Sequence, residues 1–222
     1  MKELYNSNYS KLIEKKFASL NEYFEDKLYH FVELTTLRNE ILQCLLLELN
    51  QASIFSTNHF LERIIKLALI NKYTINLDYS KPALYNEKTL EAVEKYDNLK
   101  LFNSLKLAVG ENLITEEEYT ILDNFRDKIR NPYSHAEIKR IINGAPEKFT
   151  GFMFNINDVM ESLKKGEEIK PGIKTEITTL SSALSQIYQE SFSKEIAFNY
   201  FKIVYSTLKN IEKRIELMKT ST

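Results

Sequence analysis

An all-α fold is predicted for this chain of 222 residues on three observations. Helix breakers are scarce early on: no proline precedes Pro82 and no glycine precedes Gly110, so the first eighty residues read as helices with polar joints. Apolar residues recur three and four apart along most of the chain, which is the period of one helix face. No run alternates apolar with polar side chains as a half-buried strand would. With 43% hydrophobic residues the chain can bury a full core. The expected organisation is a single domain over 1–222, with 145–222 a candidate helical C-terminal extension.

The first strong stripe is Leu37, Ile41, Cys44, Leu45 and Glu48. A second, Phe60, Leu61, Ile64, Ile65, Ala68 and Leu69, follows Ser56 and Thr57, either of which suits an N-cap. The stretch 76–86, containing Tyr79-Ser80-Lys81-Pro82, breaks the pattern. A helix is expected to resume near Glu87 and run towards Asn98, and a short apolar one to span Leu99 to Val109, ended by Gly110. Thr115-Glu116-Glu117-Glu118 then has the form of a capping box, with Tyr119, Ile121, Leu122, Phe125 and Ile129 as the apolar face behind it. That predicts a helix from Glu116 to Arg130.

Asn131 suits an N-cap and Pro132 a first helical position, so a new helix is expected to run through Ile141 and Ile142 to Gly144, with His135 in its first turn. Glycines at 144, 151, 166 and 172 punctuate two loops around a helical segment near Asn157 to Lys165. The closing helix carries Phe201, Val204, Leu208, Ile211, Ile215 and Met218 at spacings of three and four. This is a packing seam, for the core or in part for a dimer.

Composition narrows the function. Charged residues make up 27% but the net charge is only -1, so no global field recruits nucleic acid or membrane, and any RNA site must be locally basic. Cys44 is the sole cysteine, which excludes an internal disulfide and a Cys-based zinc site. His30 and His59 lack metal-ligand spacing and are expected to be structural, and Glu116 to Glu118 read as a helix start rather than a metal site. No metal and no cofactor is expected. Met1 to Lys16 has no apolar leader core, and Gln43 and Glu48 interrupt the longest apolar stretch, so a soluble, cytoplasmic protein without a membrane anchor is expected.

The chemistry concentrates in Arg130-Asn131-Pro132-Tyr133-Ser134-His135. Arginine is permanently cationic and forks onto phosphate oxygens, and histidine exchanges protons near neutral pH. Metal-free cleavage of RNA needs a base for the 2′-OH, an acid for the departing 5′ oxygen and a cation for the charge that develops on phosphorus. His135 and Arg130 can supply these. If Asn131 caps a helix, the N–H groups of that first turn add a second anion-binding element. Arg126, Lys128, Arg130, Lys139 and Arg140 outnumber Asp127 and Glu137, giving the local basic surplus. Arg126, Lys128, Lys139, Tyr133 and Ser134 are accordingly candidate RNA contacts. The structural alternative pairs Arg130 with Asp127, leaves His135 a plain helix residue and puts Tyr133 in the core.

An arginine, a polar residue and a histidine in this arrangement after a core helix resemble the HEPN superfamily, most strongly across Asn112 to Glu137. The resemblance implies a metal-independent endoribonuclease of toxin–antitoxin or anti-phage defence systems, leaving 2′,3′-cyclic phosphate ends. It implies Arg130, Asn131 and His135 as the catalytic residues, RNA as substrate, a homodimer with the motif at its interface, and an antitoxin or defence-system partner. Some members carry a tyrosine two residues after the histidine; Glu137 stands there. A twofold dimer also makes chemical sense, because one histidine serves poorly as base and acid on opposite sides of one phosphorus. The alternative function is a non-catalytic HEPN-like module that binds RNA, nucleotide or protein.

Overall fold

A computed structural model describes residues 2–77, 80–142 and 144–220. The protein is all-α: 73% of it is helical, with two short strands among the described residues. The chain divides into two compact units, one of residues 1–136 with 193–222 and one of residues 137–192. The division differs from an extension starting at 145, because the apolar seam from Phe201 to Ile215 is buried in the core of the first unit. No helix among the described residues is long and apolar enough to cross a membrane.

The first unit contains α1 (Lys2–Glu25), α2 (Thr35–Leu46), α3 (Asn50–Thr74), α4 (Pro82–Tyr96), α5 (Leu101–Gly110), α6 (Glu116–Phe125), a π turn (Arg126–Arg130) and α7 (Asn131–Ser134). Helix α3 packs against α2, α4, α5 and α7. It starts at Asn50, so Ser56 and Thr57 lie inside the helix instead of capping it. Ser53, Ile54 and Thr57 are buried, and the packed face extends two turns before Phe60. Pro82 occupies the first turn of α4, five residues earlier than expected from Glu87. Tyr79 in the preceding break lies outside the described residues.

Gly110 is the last residue of α5 and not its left-handed stop. Asn112 takes that position at φ 58, with Asn112 N–H donating to Val109 O (2.9 Å) and Leu113 N–H to Ala108 O (2.8 Å). Asparagine tolerates this conformation because its short polar side chain compensates locally, and the turn drops Leu113 into the core.

The capping box forms as the sequence predicts. Thr115 Oγ1 accepts from Glu118 N–H (3.1 Å), and Glu118 Oε2 accepts from Thr115 N–H (2.8 Å). Glu118 also takes Asn210 Nδ2–H (2.8 Å) and Arg214 (2.8 Å), tying α6 to the closing helix α10 (Ser182–Thr220). Burial pushes the Glu118 carboxyl upward, but Arg214, the Thr115 N–H and Asn210 together outweigh it and hold it below the usual glutamate range. The folded value lies below the unfolded one, so this stabilisation is present above the ordinary glutamate pKa and is lost as pH falls through the folded value. Glu118→Gln is expected to lower stability at neutral pH and to flatten its acid-side decline, as read by urea unfolding at a series of pH values.

Beyond α6 the structure corrects the expected helix break. Asn131 is helical (φ -65, ψ -51) and donates its N–H to Arg126 O, five residues back, so the chain stays helical from Glu116 to Ser134. Proline inside a helix lacks an N–H, and its ring collides with the carbonyl four residues earlier; a π turn relieves both problems. Asn131 is therefore no N-cap. His135 ends the helix (φ -105, ψ 4) instead of starting one, so no helix N-terminus supplies an anion site there. Ala136 follows at φ 52, a conformation that costs an L-residue roughly 1–2 kcal/mol. Ala136→Gly is expected to stabilise the protein by about 0.5–1 kcal/mol in urea denaturation.

Aromatic side chains fill the space beside α10. Phe201 meets Tyr23 (centroids 5.4 Å) and Phe60 (6.4 Å), and Tyr200 meets Phe125 (5.0 Å) and donates its hydroxyl to Asn58 Oδ1 (2.8 Å). His30 Nε2 pairs with Glu216 Oε2 (3.0 Å), a structural role, and His59 is exposed. Cys44 is half-buried, and burial raises its thiol pKa.

The second unit holds α8 (Ile138–Ile141), β1 (Lys148–Met153), α9 (Ile156–Lys165) and β2 (Ile173–Thr178). The strands pair antiparallel, Lys148 with Thr178 through Met153 with Ile173, correcting the reading of 144–151 as a loop, of the chain after Gly172 as helix, and of the whole as strand-free. The helix expected to run from Asn131 to Gly144 is interrupted: α7 ends at Ser134 and only the short α8 follows it, although Gly144 does adopt a positive φ of 100.

Candidate functional site

The π turn and α7 project Arg126, Arg130, Asn131 and His135 into one open groove of about 640 Å³ in the first unit. Its facing wall comes from Glu62 and Lys66 on α3 and from the segment Asp97 to Phe102 that leads into α5. The local reason is the helical pitch. Glu62 and Lys66 are one turn apart on α3, and the bulge at 126–130 keeps Ile129 and Tyr133 buried while Arg126 and Arg130 stay partly accessible.

Arg130 is held at two points. Its Nη1 donates to Asn131 Oδ1 (3.2 Å) and its Nη2 to Glu62 Oε2 (3.3 Å). The other Glu62 oxygen meets Lys66 Nζ (3.3 Å), and Lys66 also donates to the Asp97 carbonyl. Glu62 thus bridges two cations. A guanidinium has five N–H donors, so two bonds leave Arg130 able to bind a phosphate oxygen. Arg126 donates Nε–H to Asp123 (2.6 Å), and its guanidinium lies 5.1 Å from the centre of the Phe102 ring, whose other cationic neighbour is Lys106 at 4.3 Å. The imidazole of His135 is exposed and makes no hydrogen bond among the described residues.

Lys66, Lys100, Arg126 and Arg130 outnumber Glu62 and Asp97 among the residues lining this groove, so its charge balance is positive although the chain is nearly neutral. Such a groove attracts polyanions and concentrates them locally. Arg130 can stabilise a pentacoordinate phosphate, and His135, open to solvent, can exchange a proton with a ribose hydroxyl.

Not every expected contact belongs to it. Lys128 and Ser134 are exposed but do not line the groove. Tyr133 is 1% exposed, with its hydroxyl on Ser193 Oγ (2.7 Å) and its ring edge-on to Phe55 (6.1 Å); burial raises its pKa, partly offset by Ser193. Its ring has no free face for a base, and its role here is packing. Lys139 is part of the second unit, where it lines a separate hollow of about 240 Å³ with Thr178 and Thr179. The carboxylate that meets Arg130 is Glu62 on α3, where the sequence offered Asp127. Glu62, Lys66, Lys100 and Phe102 were not anticipated. The available signal was the oppositely charged pair Glu62 and Lys66, set four apart beside the apolar stripe of the same helix.

Compared with known proteins, the chain matches no family model, no curated protein sequence and no solved structure.

Proposed function

We propose that the protein is a metal-independent endoribonuclease of the HEPN type, a cytoplasmic toxin or host-defence enzyme that acts on single-stranded or loop RNA as a homodimer. The observation that carries this reading is the convergence of Arg130, Asn131 and His135 on one cation-rich groove. In the reaction a base, His135 of one copy, takes the 2′-OH proton as O2′ bonds to phosphorus. The P–O5′ bond breaks, and the departing oxygen receives a proton from the second histidine of the dimer. Arg130 neutralises the non-bridging oxygens, and Asn131 orients the guanidinium through its 3.2 Å contact. The products are a 2′,3′-cyclic phosphate and a 5′-OH. An antitoxin-type or defence-system protein is the partner this reading expects.

A second reading rests on Glu62. Its carboxylate already occupies part of Arg130, and His135 has no hydrogen-bonded group to orient its ring among the described residues. Those features suit a module that binds RNA or nucleotide without turnover. Incubation of the purified protein with RNA in excess EDTA separates the two. Cleavage that is lost in Arg130→Ala supports the nuclease, whereas retention of RNA without cleavage, also lost in Arg130→Ala, supports the binding module.

A further inference from the structure

Outside the Arg130 groove, the first unit has a second open hollow, of about 410 Å³, between the end of α3 and the end of α10. It shares no residue with the groove, and its Lys72 lies ten residues beyond Glu62 on α3, about 15 Å along the helix axis. Small-molecule sites have volumes of roughly 300–1,000 Å³ and combine an apolar wall with a few converging polar groups. Both are present here. Ile75, Leu217 and Met218 form the wall, and Lys72, Arg214, Asn76 and Asn112 supply the polar groups.

The two cations are short of anions. Lys72 is half-buried, and among the described residues its ammonium has one polar contact, a bond donated to the Met218 thioether (3.3 Å). A thioether is a weak acceptor and carries no charge. Arg214 spends Nη1 on Leu113 O (2.9 Å) and Glu118 Oε2 (2.8 Å), which leaves Nε–H and the Nη2 hydrogens without a partner among the described residues. No carboxylate among the described residues lines the hollow, and Glu118, the one that meets Arg214, is already engaged by the Thr115 N–H and Asn210. Two like charges facing one hollow repel, and an anion between them relieves this. The amides of Asn76 and Asn112 bond to no other group among the described residues. Asn112 stands at φ 58, where glycine would serve the backbone at least as well, so its amide adds to the hollow something the turn does not need.

These groups together describe a ligand with a strongly charged head, an edge that both donates and accepts hydrogen bonds, and an apolar face. A phosphate monoester carries about −1.5 to −2 charges on three acceptor oxygens and matches a lysine beside an arginine. A nucleobase has a flat face that packs on apolar side chains and an edge of mixed donors and acceptors that an asparagine amide can pair with. A fatty carboxylate would bring less charge and leave both amides unused. We propose that this hollow binds a nucleoside monophosphate, with its phosphate on Lys72 and Arg214 and its base against Ile75, Leu217 and Met218, the base edge on Asn76 and Asn112. The site does not depend on the nuclease reading and uses none of the residues that carry it.

The test is isothermal titration calorimetry of the full chain with AMP, adenosine and inorganic phosphate. AMP is expected to bind, to keep binding in Arg130→Ala, and to bind at least about 10-fold more tightly than adenosine or phosphate, since each of these lacks half of the contacts. Lys72→Met keeps the apolar stem and should weaken AMP binding by about 10-fold or more, the effect of losing a hydrogen bond to a charged group. Asn112→Gly suits the turn, so its melting temperature should not fall while its affinity for AMP drops by about 3-fold or more. A 5′-phosphorylated trinucleotide separates the two sources of such a ligand: binding equal to that of AMP assigns the hollow to an RNA end, and exclusion assigns it to a free nucleotide. No binding of AMP at millimolar concentration overturns the proposal. So does binding that Lys72→Met and Asn112→Gly leave unchanged, binding abolished by Arg130→Ala, or phosphate held as tightly as AMP. The outcome is read without cleavage, so it stands apart from any failure of the nuclease reading.

Discussion

Replacing His135 with alanine is expected to slow RNA cleavage by about 10²–10⁴-fold, and replacing Arg130 by about 10²–10³-fold, with little change in the RNA concentration needed for half-saturation in the first case. The two losses differ in kind. His135 is exposed and its ring makes no hydrogen bond among the described residues, so its removal is expected to take away proton transfer alone. Arg130 holds both Asn131 and Glu62, and its loss also frees the Glu62 carboxylate to repel phosphate. KM should therefore rise for Arg130→Ala but not for His135→Ala. Single-turnover rates over a range of RNA concentrations, with circular dichroism to confirm the fold, read this split. A KM increase confined to His135→Ala would reverse the assigned roles.

Phe201→Ala is expected to be the most damaging single core change, at about 3–5 kcal/mol. The ring is fully buried and meets Tyr23 on α1, Phe60 on α3 and Tyr205 on its own helix at centroid distances of 5.4, 6.4 and 5.6 Å. Deleting it leaves a cavity between three elements whose spacing aromatic side chains set, so the walls cannot simply close. A fall in melting temperature on the order of 10 °C follows for a protein of this size. Phe198, one turn away and partly exposed, meets Tyr23 edge-on at 6.1 Å. Its alanine variant should cost less than half as much in the same urea titration.

How far the sequence could be read depended on whether a feature was local. The Thr115 to Glu118 capping box needs only four residues, and it formed as expected. The stripe from Phe201 to Ile215 declared a buried helix face without naming what covers it. Asn131-Pro132 misled because the same dipeptide suits a helix start and a π turn. The burial of Ile129 and Tyr133 on either side decided in favour of continuity, and burial is not visible in four residues. The strands at 148–153 and 173–178 were missed because their half-buried residues include Gly151 and Thr175, which leave no apolar alternation to see. Arg130, Asn131 and His135 were legible as a group, since one short segment carries them. Glu62 lies sixty-eight residues away from Arg130, and only the fold brings it there.

The central claim is that the groove around Arg130 and His135 breaks RNA without a metal. It is tested most directly by incubating the protein with a single-stranded RNA in excess EDTA and identifying the new ends by mass spectrometry. The account predicts 2′,3′-cyclic phosphate and 5′-OH termini from the wild type and, over the same time, at least about 100-fold fewer from Arg130→Ala or His135→Ala. Intact RNA with wild type, or equal cleavage by both variants, would contradict it.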